Sequence, residues 1–149
     1  MKKSVYLIAL MLGSLGYQAF AQKDFTLLSP DKSVKFILEV ADSINYSVAV
    51  DNKGVVGKSK ISFTTDASRK AGWKVVGTKR TFINELLTPV VRQKSKSIQD
   101  RCNQLHLDFS NGLSLECRAY NNGVAWRWIT SYKKEYKVLD EKVGFSFDK

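Results

Sequence analysis

A chain of 149 residues with a formal net charge of +10, 44% hydrophobic and 26% charged residues, is too apolar to stay disordered. It is long enough for one core and too short for two domains. With only Cys102 and Cys117, a disulfide-dense miniature scaffold is excluded.

The first residues read as an export signal. Lys2 and Lys3 precede the apolar run Val5 to Gly16, and Ala19-Phe20-Ala21 is a small-x-small cleavage site. Residues 1–21 are therefore expected to leave after Ala21, giving an exported chain, periplasmic or secreted, that starts at Gln22. The apolar run is shorter than the roughly 20 residues that span a bilayer, so no membrane span is expected in the mature chain. Losing Lys2 and Lys3 lowers the net charge from +10 to +8. The excess concentrates between Arg69 and Arg101, where nine basic residues face only Glu85 and Asp100.

From Gln22 onward the pattern is that of short strands. "FTLLSPDKS" gives a strand and a turn at Pro30-Asp31. "VKFILEVAD" alternates, with Phe36, Leu38 and Val40 on one face. "INYSVAVDNKG" does so with Ile44, Tyr46, Val48 and Val50, and ends in a turn at Asp51-Asn52-Lys53-Gly54. "KISFTTD" and "GWKVVGTKR" are further candidates. The zone from Arg69 to Arg101, which includes "RQKSKSIQD", reads as a mobile basic loop, although "GWKVVGTKR" within it is also a strand candidate.

Ser110-Asn111-Gly112 separates "LHLDF" from "LSLECRAY". Both apolar sets fall on one side of the sheet if Phe109 faces Leu113 across a three-residue loop, with Gly112 in the left-handed position. Leu107 then faces Leu115, Leu105 faces Cys117 and His106 faces Glu116. Cys102 lies on the opposite face from Cys117, so no disulfide is expected between them. Asn121-Asn122-Gly123 is a second tight turn, after which Val124, Trp126 and Trp128 share one face. The result is a three-strand meander in an all-β, antiparallel sandwich.

Groups for catalysis are sparse. His106 is the single histidine and reads as half of a surface cross-strand pair. No Cys-x-x-Cys, His-x-x-x-His or phosphate-binding glycine loop occurs. Asp24, Asp31, Glu39, Asp42 and Asp51 are scattered near turns and do not form a spaced calcium loop. The basic zone with Trp73 hints at nucleic acid, but the aromatics sit at strand-core parity and the charges cluster elsewhere, so no nucleic-acid partner is expected.

"LSLECRAYNNGVAWRW" resembles the signature of the N-terminal domain of glycoside hydrolase family 97, the family of bacterial α-glucosidases and α-galactosidases of polysaccharide-utilisation systems. The matching residues are Arg118, Tyr120, Asn121, Gly123, Val124, Ala125, Trp126, Arg127 and Trp128. "DRCNQLHLDF", "LLSPDKSVKFILEV", "YSVAVDNKGVVGKSKISF" and "TPVVRQKSKSIQDR" are similar to the family's flanking segments, in the family's order. Cys102 replaces a tyrosine, Asn122 an aspartate, and Lys32 the glycine of the opening turn.

The resemblance implies a β-super-sandwich, a catalytic (β/α)8 barrel and a calcium ion. It places the catalytic carboxylates and most calcium ligands on the barrel. This chain reaches "VGFSFDK" without that barrel, so no catalytic residue and no metal ligand carries over. The expected role is a non-catalytic scaffold, with a catalytic barrel domain or a glycan as partner. The alternative is a free-standing exported carbohydrate-binding module. Alone, the chain is expected to hydrolyse nothing, because glycosidases need two positioned carboxyls. Arg118, Tyr120, Asn122, Trp126 and Arg127 are the candidates for contact with carbohydrate or a neighbouring domain, since guanidinium and indole groups suit sugar hydroxyls and faces.

Overall fold

The computed structural model describes residues 22–68, 72–91 and 96–147. The export signal read over residues 1–21 lies outside them. Nine antiparallel strands form two sheets among the described residues. One has the order β1 (Lys23–Leu28), β2 (Val34–Val40), β3 (Ile44–Val50), β4 (Lys53–Thr65), β9 (Val138–Val143). The other has the order β5 (Val75–Leu87), β6 (Ile98–Phe109), β7 (Leu113–Tyr120), β8 (Gly123–Thr130).

Strict alternation builds the first sheet. Phe25 and Leu27 oppose Leu38 and Phe36, which oppose Tyr46 and Val48. All six are buried. Two turns use non-glycine residues at positive φ: Lys32 at 66°, and Asp51 and Asn52 at 49° and 63°. The Asp51-Asn52 turn is two residues long, so Lys53 and Gly54 pair with Val50 and Ala49 as part of β4. This corrects the four-residue turn expected there. Val50, expected on the buried face, is 37% exposed beside that turn.

The meander β6-β7-β8 has the register expected from the sequence. Leu105 opposes Cys117, Leu107 opposes Leu115 and His106 opposes Glu116. Gly112 adopts φ 78°, and a Cβ there would come within 2.6 Å of the Tyr132 ring. Cys117 joins the core between the sheets. Cys102 is buried outside that core cluster, and both thiols are free.

The basic zone corrects another expectation. Most of its described residues are not loop but the long β5–β6 hairpin, paired from Val75↔Phe109 to Leu87↔Ile98. Residues 92–95 of the expected loop lie outside the described residues. β9 also has no counterpart among the sequence-read strands. It pairs with β4, Val143 opposing Ile61.

β1 packs on β6 and β7, and β2 on β7 and β8. The indoles of β8 reach further. Trp126 lies 4.8 Å from Tyr46 and 6.2 Å from Phe36, and Trp128 lies 5.9 Å from Phe63 and 5.4 Å from Trp73, centroid to centroid. Those rings join the two sheets, and they stop short of β9.

Candidate functional site

The outer face of β6-β7-β8 carries a connected set of charges. Alternation along β7 turns Leu113, Leu115, Cys117 and Ala119 inward. It leaves Ser114, Glu116, Arg118 and Tyr120 on the other side. The register then brings Gln104 and His106 of β6 opposite Arg118 and Glu116, and Ala125 and Arg127 of β8 opposite the same two residues.

Glu116 is the centre. Its side chain is 9% exposed and receives Arg127 Nη2 at 2.8 Å, with Arg118 Nε at 3.7 Å and His106 Nδ1 at 3.9 Å. Arg118 fans out further. Its Nε donates to Gln104 Oε1 at 2.9 Å, and its Nη1 donates to Asp100 Oδ2 at 3.1 Å and to Tyr120 Oη at 3.4 Å. The Tyr120 contact is the main reason the guanidinium is held even more firmly protonated than usual. Burial pushes the Tyr120 phenol up, partly countered by Arg118.

Cys102 lies beneath this group, its Sγ 3.8 Å from Asp100 Oδ1, and burial raises its thiol pKa. On the other flank Asp108 accepts Ser114 Oγ at 2.7 Å and pairs with His106 Nε2 at 3.0 Å. The Ser114 bond holds the Asp108 carboxyl below the usual carboxylate range. A general acid for glycoside cleavage needs the opposite shift.

Of the five residues singled out by sequence, Arg118, Tyr120 and Arg127 come together around a cleft of about 210 Å³ floored by Ala125. Trp126 points into the sandwich and only borders that cleft at the free edge of β8. Asn122 stays exposed on the turn. Its neighbour Asn121 accepts the Asp31 backbone N–H at 3.2 Å, tying the two turns together. Sequence reasoning missed Asp100, Gln104, Asp108 and the central role of Glu116. The one signal available was the β6–β7 register, which puts His106 opposite Glu116.

No group of three or more metal-ligating side chains lies together among the described residues. Asp31 spends its Oδ1 on Ser29 and Ser33, and Glu39 is engaged by Lys58. The scattered acids therefore do not fit a calcium cage of six to eight oxygens. Nor is any helix among the described residues long and apolar enough to cross a membrane.

The two sheets, joined by an aromatic seam, define an antiparallel β-sandwich. The chain belongs to the glycosyl-hydrolase 97 N-terminal family, whose model matches residues 27–149. It is 32% identical to a retaining alpha-galactosidase of Bacteroides thetaiotaomicron over 99% of this chain, which spans only 22% of that protein's length. The fold also matches a family 97 enzyme from Pseudoalteromonas sp. strain K8 solved with acarbose (TM-score 0.67, 19% identity, 83% of this chain and 20% of that one). A beta-arabinopyranosidase crystal structure matches as well (TM-score 0.70, 24% identity, 85% of this chain and 22% of that one). The residues described here form a non-catalytic domain of that N-terminal type, and a free-standing carbohydrate-binding module is not favoured.

Proposed function

We propose that this domain serves as the scaffold of an exported family 97 glycoside hydrolase acting on α-linked glucose or galactose, docking against a catalytic barrel domain and helping to shape its glycan cleft. The family match over residues 27–149, with the chain spanning 22% of a retaining alpha-galactosidase, carries this reading. The outer face supports it. Asp100, Asp108 and Glu116 are each engaged by a neighbouring side chain. A face whose charges are already paired suits a fixed interface better than acid–base chemistry, which needs a group poised to exchange a proton. Within that face Arg118, Tyr120 and Arg127 are the interface contacts, and Asn122 and Trp126 flank them.

The test is hydrolysis of aryl α-galactoside and α-glucoside by residues 22–149, together with retention on an α-glucan affinity gel. No turnover above buffer and no retention are expected. Turnover abolished by a single Asp or Glu substitution would overturn the scaffold reading. Retention lost in Arg127→Ala would replace it with the binding module.

A further inference from the structure

β5 and β6 run on past the body of the sandwich. The last β6–β7 pair is Asn103↔Ala119. Beyond it the β5–β6 ladder continues from Ile83↔Cys102 to Leu87↔Ile98, with no third strand paired to it. At about 3.4 Å per residue this two-stranded arm projects roughly 15 Å. Its end is apolar in every direction. Directly opposed residues share a side of the sheet, so Leu87 and Ile98 lie on the Cys102 side and Leu86 on the side of Leu105. All three are exposed, Leu86 at 67%. Val91 at the tip is 73% exposed, and its neighbour Val90 wholly so.

Behind this apolar end lies a polar belt. Gln99 Nε2 donates to Asn84 Oδ1 at 2.9 Å and to the Glu85 carbonyl at 3.1 Å, and Asp100 is held by Arg118. Cations stand on both sides of the belt. Lys79, Arg80, Lys96 and Arg101 are exposed, and none makes an ion pair among the described residues. They outnumber Glu85, the one other acid of the arm. An exposed apolar patch rimmed by polar groups marks a contact surface, and the pattern selects the contact. A protein partner or a second copy covers one face or one edge of a hairpin. Here both faces and the tip are apolar, so the medium has to surround the end. Unpaired cations around such an end match an anionic lipid surface.

We propose that the β5–β6 arm is a peripheral membrane anchor. Leu86, Leu87, Val90, Val91 and Ile98 enter the headgroup zone of an anionic bilayer, while Arg80, Lys96 and Arg101 bind lipid phosphates. The insertion is shallow for a physical reason. The outer edges of a two-stranded arm carry unpaired N–H and C=O groups, which hydrocarbon cannot satisfy. The belt of Asn84, Glu85 and Gln99 therefore stops at the surface. From Glu85 to Leu87 the strand rises about 7 Å, within the roughly 5–10 Å that interfacial anchors reach. Lys96 lies beyond the belt, and its stem can follow the apolar end while the ammonium returns to the phosphates. The arm thus holds the sandwich at a bilayer surface without a spanning segment.

This inference goes beyond the scaffold role, and its test uses neither hydrolysis nor glucan, so either can fail without the other. The chain from Gln22 to Lys149, which lacks the apolar run Val5 to Gly16, is co-sedimented with phosphatidylcholine vesicles that hold either no phosphatidylglycerol or about 30% of it, at roughly 0.1 M salt. Partition onto the anionic vesicles should exceed that onto the neutral ones about tenfold. Val90→Ser with Val91→Ser, at two exposed sites, should lower it about fivefold and leave the thermal melt unchanged. Arg80→Gln with Arg101→Gln should lower it by a similar factor. Lys133→Gln with Lys134→Gln should leave it unchanged, since that loop packs its Tyr132 on Gly112 at the far end of β6. Equal partition onto both vesicles would overturn the proposal. So would undiminished binding of the Val90/Val91 variant, or an equal loss in the Lys133/Lys134 variant, because net charge alone would then explain adsorption. A dimer in sedimentation velocity that the Val90/Val91 variant abolishes would also overturn it, with a second copy as the cover of the tip.

Discussion

Arg127 and Glu116 face each other directly across the β7–β8 pair, Nη2 to Oε1 at 2.8 Å, yet the first side chain is 64% exposed and the second 9%. The pair is therefore unequal. Water can replace much of what Glu116 gives Arg127. It cannot easily reach Glu116, which also leans on Arg118 and His106.

Arg127→Ala should cost less than about 1 kcal/mol, the range of exposed ion pairs. Arg118→Ala should cost about 2–3 kcal/mol, because it strips Asp100, only 12% exposed, of its cation and leaves Gln104 without its donor. Urea denaturation of the two variants gives the comparison. If Arg127→Ala proves the costlier change, the network is centred on the wrong arginine.

Asp108 predicts a pH effect. Its folded-state pKa is depressed, chiefly by the Ser114 hydroxyl and then by His106. A depressed carboxyl contributes stability that is present above its unfolded pKa, near 3.9, and lost as pH falls through the lower folded value. The stability advantage of wild type over Asp108→Asn should hold from pH 7 to 5 and shrink below about pH 4. Thermal melts of both proteins across that range provide the check. A difference that stays constant down to pH 2 would show that the carboxylate charge contributes nothing.

Trp128 makes two predictions that separate its ring from its N–H. The ring packs against Phe63, Trp73 and Phe109. Trp128→Ala should cost about 2–4 kcal/mol, a little under the range for a fully buried aromatic because the ring is only part-buried. Trp128→Phe keeps a ring and deletes the unpaired Nε1–H, so it should cost less than about 1.5 kcal/mol. Equal losses in both variants, measured by guanidinium denaturation, would mean that the indole nitrogen is bonded in solution.

The two thiols should behave alike in one respect. Both are buried and free, and burial raises the pKa of each. Iodoacetamide should label neither in the native protein within minutes, and should label both in urea without reductant. Mass spectrometry showing two fewer protons and no label after denaturation would reveal a bridge, and with it a different β6–β7 register.

Lys32 sits at φ 66° in the turn after β1. A left-handed conformation strains a side chain with a Cβ and does not strain glycine. Lys32→Gly should raise stability by about 0.5–1 kcal/mol, despite the extra freedom glycine gives the unfolded chain. A loss of that size would mean that the unfolded-state term outweighs the strain.

The sequence by itself determined the strands whose faces differ in polarity, and which side of each is apolar. Phe36, Leu38 and Val40 declare an inner face because every second residue must leave water. Gly112 and the matched parities of Leu105, Leu107, Leu113 and Leu115 pinned the β6–β7 register. The same parity put Arg118, Tyr120 and Arg127 on one face and Trp126 on the other. Tertiary structure alone decided the rest. β5 carries Arg80, Thr81, Phe82 and Glu85 with both faces largely exposed, so no burial imposes a period that a reader could detect. β9, exposed throughout, is a strand because β4 offers it a ladder, from Ile61↔Val143 to Thr65↔Val138. Glu116 is buried because Arg118, Arg127 and His106, from three strands, close over it. Alternation is a local property of one strand. Which strand lies beside it, and which charges meet across the pair, depends on contacts made far along the chain.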